Sequence, residues 1–241
     1  MKIDSNLLKQ FINKASVSAR LFSVILNFKE DGLMASIMDG VSVVRTYTII
    51  KPEAFEEYEA VGEIIIKNTL EFMKYLDTYP GIITLEVSEM NQHILKIWDA
   101  SREGYIILGS DLVCASTPEN EIPDLNLSVK IPFTKELLTR TIADGKLLKN
   151  NQVTITKDKD NLIFEVGRKG ESDYFKNILP LPNTTEMLGS VKVGEAFGQL
   201  YNCIDDNIVI SFGENMPLMV EEVTEDITYT CIIAPMIEHS E

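Results

Sequence analysis

At 241 residues, with 45% apolar and 24% charged side chains and a formal charge of −15, the chain is long enough to bury one large or two ordinary cores without crosslinks. Three scattered cysteines with no CxxC pair, and only His93 and His239, argue against a disulfide framework, a metal centre or a Ser-His-Asp triad. The N-terminus lacks a signal-peptide core, and no run approaches the roughly eighteen apolar residues of a membrane span, so a soluble intracellular protein without membrane contact is expected: cytoplasmic or nucleoid-associated, or nuclear in a eukaryote.

Asn6 to Ala15 sets Leu7, Leu8, Phe11, Ile12 and Ala15 on one face at helical spacing, with Lys9 and Asn13 opposite, and the candidate helix spans residues 5–20. A hairpin follows: Phe22 to Phe28, a turn from Lys29 to Gly32, then Leu33 to Ile37. A second helix, residues 67–77, turns Leu70, Met73 and Leu76 inward and precedes strands Ile82 to Val87 and His93 to Trp98. Ser110 to Leu125 carries Pro118, Pro123 and four acids, an extended connector with apolar anchors at Val113, Ile122, Leu125 and Leu127.

The pattern then returns at an offset of about 130 residues. Thr134 is a good N-cap for a helix over residues 134–149 with Leu137, Leu138, Thr141 and Ile142 inward and Arg140 outside that stripe. Val153 to Thr156, a turn over residues 157–161 and Leu162 to Val166 form the second hairpin, and a helix over residues 194–204 with Phe197 and Leu200 inward precedes a closing hairpin. The chain reads as a duplicated helix-strand-strand-strand-helix-strand unit of α+β class: residues 1–112, a connector 113–126, and residues 127–241.

Charge is segregated. No Lys or Arg follows Lys192, whereas ten acids do. The four candidate helices sum to +3, 0, +2 and −1, leaving −19 for the rest of the chain. Asp39, Asp111, Glu119 and Glu121 have no partner base, metal-ligand spacing or phosphate-cradling glycine loop beside them, so neither an enzyme nor a cofactor is expected.

Ser211-Phe212-Gly213, Met216-Pro217-Leu218 and Ala234-Pro235 with Ile237-Glu238 resemble, in order and spacing, the C-terminal hairpin of the PCNA-type DNA sliding clamps, and Gly32 to Gly40 resembles that family's segment ending in Met-Asp. The resemblance implies two like domains, each with two helices on antiparallel sheet, and chains that close head-to-tail into a three-subunit ring around duplex DNA, helices inside. A basic lumen and an acidic exterior suit such a ring, because the lumen must slide along phosphates that the exterior repels. On that footing the DNA-facing residues are Lys9, Lys14, Arg20, Lys67, Lys74, Lys135, Arg140, Lys146 and Lys149, although a solvated surface base explains each equally well. Lys67 and Lys74, seven apart, share a face, and the last helix carries no base.

Ring closure in the family pairs strand edges, here Glu103 to Gly109 with Asp173 to Leu179, bringing in Tyr105, Ile107, Tyr174 and Phe175; interior core is the other reading of these four. The resemblance also implies a pocket for short partner peptides made of Met38, Val41, Val43, Ile122, Pro123, Leu125, Met216, Pro217, Ile232, Ala234, Pro235 and Ile237. For Met216 and Pro217, ordinary turn packing explains the pattern as well. The segment after Asp39 is one residue shorter than is usual in the family, and Ile232 stands where an aromatic is common. The implied partners are duplex DNA without sequence preference, DNA polymerase, a clamp loader, a flap endonuclease and DNA ligase, with further copies or related subunits completing a trimer. Two other readings stay open: a subunit that works only in a heterotrimer, and an acidic interaction module that keeps the fold without encircling DNA.

Overall fold

Apolar alternation and helical spacing both find their elements in the computed structural model, which describes residues 1–41, 43–88, 93–109, 122–170, 173–181, 188–205 and 208–237. Two units emerge: Met1–Gly40, Arg45–Glu121 and Val223–Tyr229 form the first, and Val41–Val44, Ile122–Glu222 and Thr230–Glu241 the second. In chain order the first half runs β1 (Lys2–Asp4), α1 (Ser5–Ala15), β2 (Val24–Lys29), β3 (Gly32–Met38), β4 (Val44–Ile50), β5 (Gly62–Ile66), α2 (Thr69–Leu76), β6 (Ile82–Val87), β7 (Ile94–Trp98) and β8 (Glu103–Ile107). The second half repeats it: β9 (Val129–Phe133), α3 (Lys135–Leu148), β10 (Val153–Lys157), β11 (Asn161–Gly167), β12 (Tyr174–Pro180), β13 (Gly189–Val193), α4 (Glu195–Gln199), β14 (Ile208–Phe212), β15 (Leu218–Val223) and β16 (Ile227–Ile233).

The duplication is therefore longer than the sequence pattern implies, because each repeat also has a leading strand and a strand before its second helix. Strand neighbours match as well: β1-β6-β7-β8 answers to β9-β14-β15-β16, and β5-β2-β3-β4 to β13-β10-β11-β12. Of the connector, residues 113–121 lie outside the described set, and 122–127 have no regular secondary structure.

Alternation decides which sheet face is covered. Val24, Leu26 and Phe28 of β2, with Leu85, Leu95 and Ile97, bury one face beneath Leu8, Phe11 and Ile12 of α1 and Phe72, Met73 and Leu76 of α2. Leu70, expected inward, is 51% exposed, and Phe72 takes its place in the core. The second unit stacks Phe133 on Phe164 at 5.4 Å between centroids and Phe164 on Phe197 at 6.2 Å, joining β9, β11 and α4. Gly32 closes the first hairpin with φ +130°, where a Cβ would stand 2.3 Å from the Ile50 carbonyl oxygen.

The helix ends differ from those read in the sequence. Asp4 caps α1 by accepting from Asn6 N–H at 2.8 Å and Leu7 N–H at 3.1 Å. The helix stops at Ala15 because Val17, Ser18 and Ala19, none of them glycine, turn left-handed with φ of 50°, 57° and 62°. Ser16 Oγ accepts from Ala19 N–H at 3.1 Å, and the carbonyls of Asn13 and Ser16 accept from Ser18 and Leu21, which holds the turn. Asn68 caps α2 through Glu71 N–H at 3.0 Å, leaving Lys67 ahead of the helix. Thr134 is the N-cap residue of α3 but makes no side-chain cap bond, and α4 gives way to a 3₁₀ turn, Leu200–Asn202.

A left-handed non-glycine residue costs about 1–2 kcal/mol. Ser18→Gly relieves one such position and, net of glycine's larger unfolded-chain entropy, raises stability by about 0.5–1 kcal/mol, or ~1–4 °C in Tm by calorimetry.

Candidate functional site

Of the bases read as DNA-facing, two do not meet that description. Lys14 is 2% exposed, with Nζ 5.6 Å from the ring centroid of Tyr229; it lies three residues after Phe11, on the buried side of α1, and cannot reach a phosphate. Arg20 sits beyond the left-handed turn rather than on α1, and its guanidinium pairs with the Asp39 carboxylate at 3.5 Å. Lys67 precedes α2, so the shared helical face proposed for it and Lys74 does not form.

Lys9 pairs with Asp77 at the end of α2, and Arg140 pairs with Glu136 one turn earlier on α3. Lys135 donates to the Ile204 carbonyl at 2.8 Å and lies 4.9 Å from the Tyr201 ring centroid. Lys67, Lys74, Lys146 and Lys149 are exposed and form no ion pair among the described residues. Beside α4, which has no base, Tyr201 and Asn202 are exposed instead.

Two strands end their sheets with apolar side chains in solvent. β8 is the outer strand of its sheet and shows Tyr105 and Ile107 at 62% and 71% exposure. β12 is the outer strand of the other sheet, with Phe175 and Ile178 exposed and Tyr174 half-buried. Ile178 was missed in the sequence, although it continues the alternation of Tyr174 and Lys176. Tyr174 donates its hydroxyl to Glu165 on β11, and burial together with that carboxylate pushes its phenol up to about 12.

The residues assigned to the partner pocket separate by unit. Met38 belongs to the first unit, where it lines a cavity with Arg20, Phe22, Ser36 and Asp39; all the others belong to the second. There the C-terminal segment is tied down twice: Ala234 N–H donates to Val43 O and Met236 N–H to Lys192 O, each at 2.8 Å. Pro235 has no N–H to give. Val41, Ile122 and Ile237 are exposed, Val43, Pro123, Leu125, Met216, Pro217, Ala234 and Pro235 are half-buried, and Ile232 is buried within β16. Met236 lines with Ile237 a cleft of about 710 Å³ that also holds Lys192 and Tyr174. Among the described residues no cluster of His, Cys, Asp or Glu could hold a metal ion, and no helix is long and apolar enough to cross a membrane.

No family model matches the chain. Its sequence is similar to the DNA polymerase sliding clamp 1 of Thermococcus kodakarensis, 25% identical across 95% of this chain and 96% of that protein, and to the sliding clamp of Methanococcus maripaludis, 23% identical over 95% of each. The structure superposes on A. fulgidus PCNA bound to the C-terminal region of FEN-1, with TM-score 0.82, 21% identity and coverage of 99% and 98% of the two chains. The chain has the PCNA sliding-clamp fold. PCNA from Entamoeba histolytica, at TM-score 0.79 and 17% identity, and the PCNA2–PCNA3 complex from Sulfolobus tokodaii, at 0.74 and 18%, share this clamp fold across 98% of the present chain.

Three outcomes follow for this clamp fold. Lys14→Glu sets a carboxylate where an ammonium packs on the Tyr229 ring and lowers stability by about 3 kcal/mol or more in denaturant titration. Because the folded pKa of Tyr174 lies above its unfolded value, its stabilising contribution is complete below pH ~10 and is lost as pH rises toward 12. Glu165→Gln draws that phenol back toward its ordinary value, as followed by NMR titration of ring-labelled tyrosine.

Proposed function

We propose that the chain is a DNA sliding clamp: a non-enzymatic ring subunit that encircles duplex DNA without reading sequence and tethers DNA polymerase and repair enzymes to it. The observation that carries this reading is the end-to-end correspondence of both repeats with PCNA, together with similarity to proteins named DNA polymerase sliding clamp over 95% of the chain. The repeats are divided as 1–112 and 127–241, with the connector between them.

In this reading the free edges β8 and β12 join successive chains through Tyr105, Ile107, Tyr174 and Phe175, with Ile178 added. Exposed apolar side chains on unpaired strands are a liability in a lone chain and an asset in an assembly. The duplex meets Lys67, Lys74, Lys146 and Lys149, with Lys9, Lys135 and Arg140 contributing once released from their intramolecular partners. Lys14 and Arg20 are left out. Partner peptides dock along the second unit's tail, where Val41, Ile122 and Ile237 offer open apolar surface beside half-buried Pro235.

A second form of the same function is membership of a mixed ring. The PCNA2–PCNA3 complex among the structural relatives favours keeping it in view.

Loading on a closed circle and then cutting that circle releases a ring but not a surface-bound protein; equal retention on cut and uncut DNA overturns the proposal. A ring built from this chain alone runs at three times the 27.1 kDa chain mass in native mass measurement, whereas a chain that needs related subunits runs as a monomer or dimer. Ile107→Glu and Ile178→Glu each place a charge on a joining edge and reduce the assembly to smaller species, with the far-UV spectrum retained.

A further inference from the structure

The cleft of about 710 Å³ in the second unit falls within the roughly 300–1,000 Å³ of small-molecule sites. Strand alternation makes its floor. Val153 and Ile155 of β10 turn into the core, so Gln152 and Thr154 line the cleft from the other side of the sheet. Thr154 pairs with Lys192 on β13 and with Glu165 on β11. One bank is therefore Lys192, half-buried, and the other is Arg168 and Lys169, exposed just beyond the end of β11. Gln152 N–H donates to Asn150 Oδ1 at 2.9 Å, so the Asn150 amide offers the cleft its Nδ2 donors.

Charge selects the class of guest. Three bases and one carboxylate line the cleft among the described residues, in a chain whose net charge is −15. The carboxylate, Glu165, accepts from the Tyr174 hydroxyl on β12, which draws it to the side away from Lys192. A cation meets three like charges and a neutral guest leaves them unmet, whereas an anion gains from each. The guanidinium takes a phosphate bidentately and the ammonium groups act as point charges. The two banks are rooted on β11 and β13, two strand spacings apart, or about 10 Å at the backbone. Orthophosphate meets one bank; a chain of two or three phosphates carries charge to both. We propose that this cleft binds an oligophosphate, either as the free phosphate chain or as the phosphate tail of a nucleotide. Occupancy depends neither on ring closure nor on DNA.

The test is tripolyphosphate, titrated at constant ionic strength into the isotope-labelled full-length chain and read by NMR. Saturable shifts at residues 150–154, 165–169 and 190–192 are expected, with affinity at least ~10-fold above that of orthophosphate. ATP separates the two sources: binding ~10-fold or more tighter than tripolyphosphate assigns the cleft to nucleotides, and any weaker binding assigns it to the free chain. Arg168→Gln and Lys192→Gln each weaken tripolyphosphate ~3- to 10-fold, and Lys130→Gln, on β9 away from the cleft, leaves it unchanged. Glu165→Gln removes a like charge and tightens it ~2- to 5-fold, which damage to the fold cannot do. Orthophosphate binding as tightly as tripolyphosphate overturns the proposal, as do equal shifts at Lys67, Lys74 and Lys149, undiminished affinity in both the Arg168 and Lys192 variants, or weaker binding by Glu165→Gln. A failed DNA-release assay beside intact tripolyphosphate binding counts against the clamp function and leaves the cleft standing.

Discussion

Each unit can cover only one face of its sheets, and the rest of the structure depends on that constraint. Two short helices lie over the covered face. Leu8, Phe11 and Ile12, with Phe72, Met73 and Leu76, close it in the first repeat; Leu137, Leu138 and Phe197 lie buried on the corresponding helices of the second. Helices have no reach beyond the layer they shield, so β8 and β12 end their sheets with backbone groups and apolar side chains unclaimed within their own unit. Stability within each unit and the capacity to associate thus come from the same division of labour between covered and uncovered sheet.

The chain's strong acidity obscures a finer arrangement. Several bases are already engaged: Lys9 by Asp77, Arg140 by Glu136, Arg20 by Asp39. Exposed pairs of this kind are weak, about 0–1 kcal/mol, and exchange readily for a phosphate. The partly buried pair of Arg20 and Asp39 does not, since separating it leaves desolvated charge behind. The bases therefore divide into a few that are freely available, several that are available at small cost, and two that serve the fold.

Sequence periodicity revealed the helices and hairpins because burial of one face imposes it directly. α1 and the hairpin of β10 and β11 were plain in the spacing of Leu8, Phe11, Ile12 and of Val153, Ile155. What was not plain has physical causes. The end of α1 rests on a left-handed turn made by Val17, Ser18 and Ala19, and no glycine marks it. Lys14 carried a signal that was available: its position three after Phe11 is a core position, and charge type alone masked it. The leading strands β1 and β9 are short, and their alternation is too brief to stand out. The cavity holding Ser36 also depends on that unmarked turn, because it sets where the chain from Arg20 enters β2 beside the far end of β3, sixteen residues on. The tail is legible through three elements in register, Ser211-Phe212-Gly213, Met216-Pro217-Leu218 and Ala234-Pro235, yet its fastening through the N–H groups of Ala234 and Met236 emerges only when Val43 and Lys192 are in place.

The two uncovered edges are not copies of one another. β8 is five residues with Tyr105 and Ile107 outward; β12 is seven, with Phe175, Lys176 and Ile178. An assembly that joins one kind of edge to the other gives every member the same heading, as links in a chain-drive share theirs, and rotation about a single axis never inverts any of them. Such a body has two unlike sides. In the proposed ring, a partner docked at Ala234 to Ile237 would face one way along the duplex from every subunit, and an enzyme held there would approach the DNA with a fixed front and back.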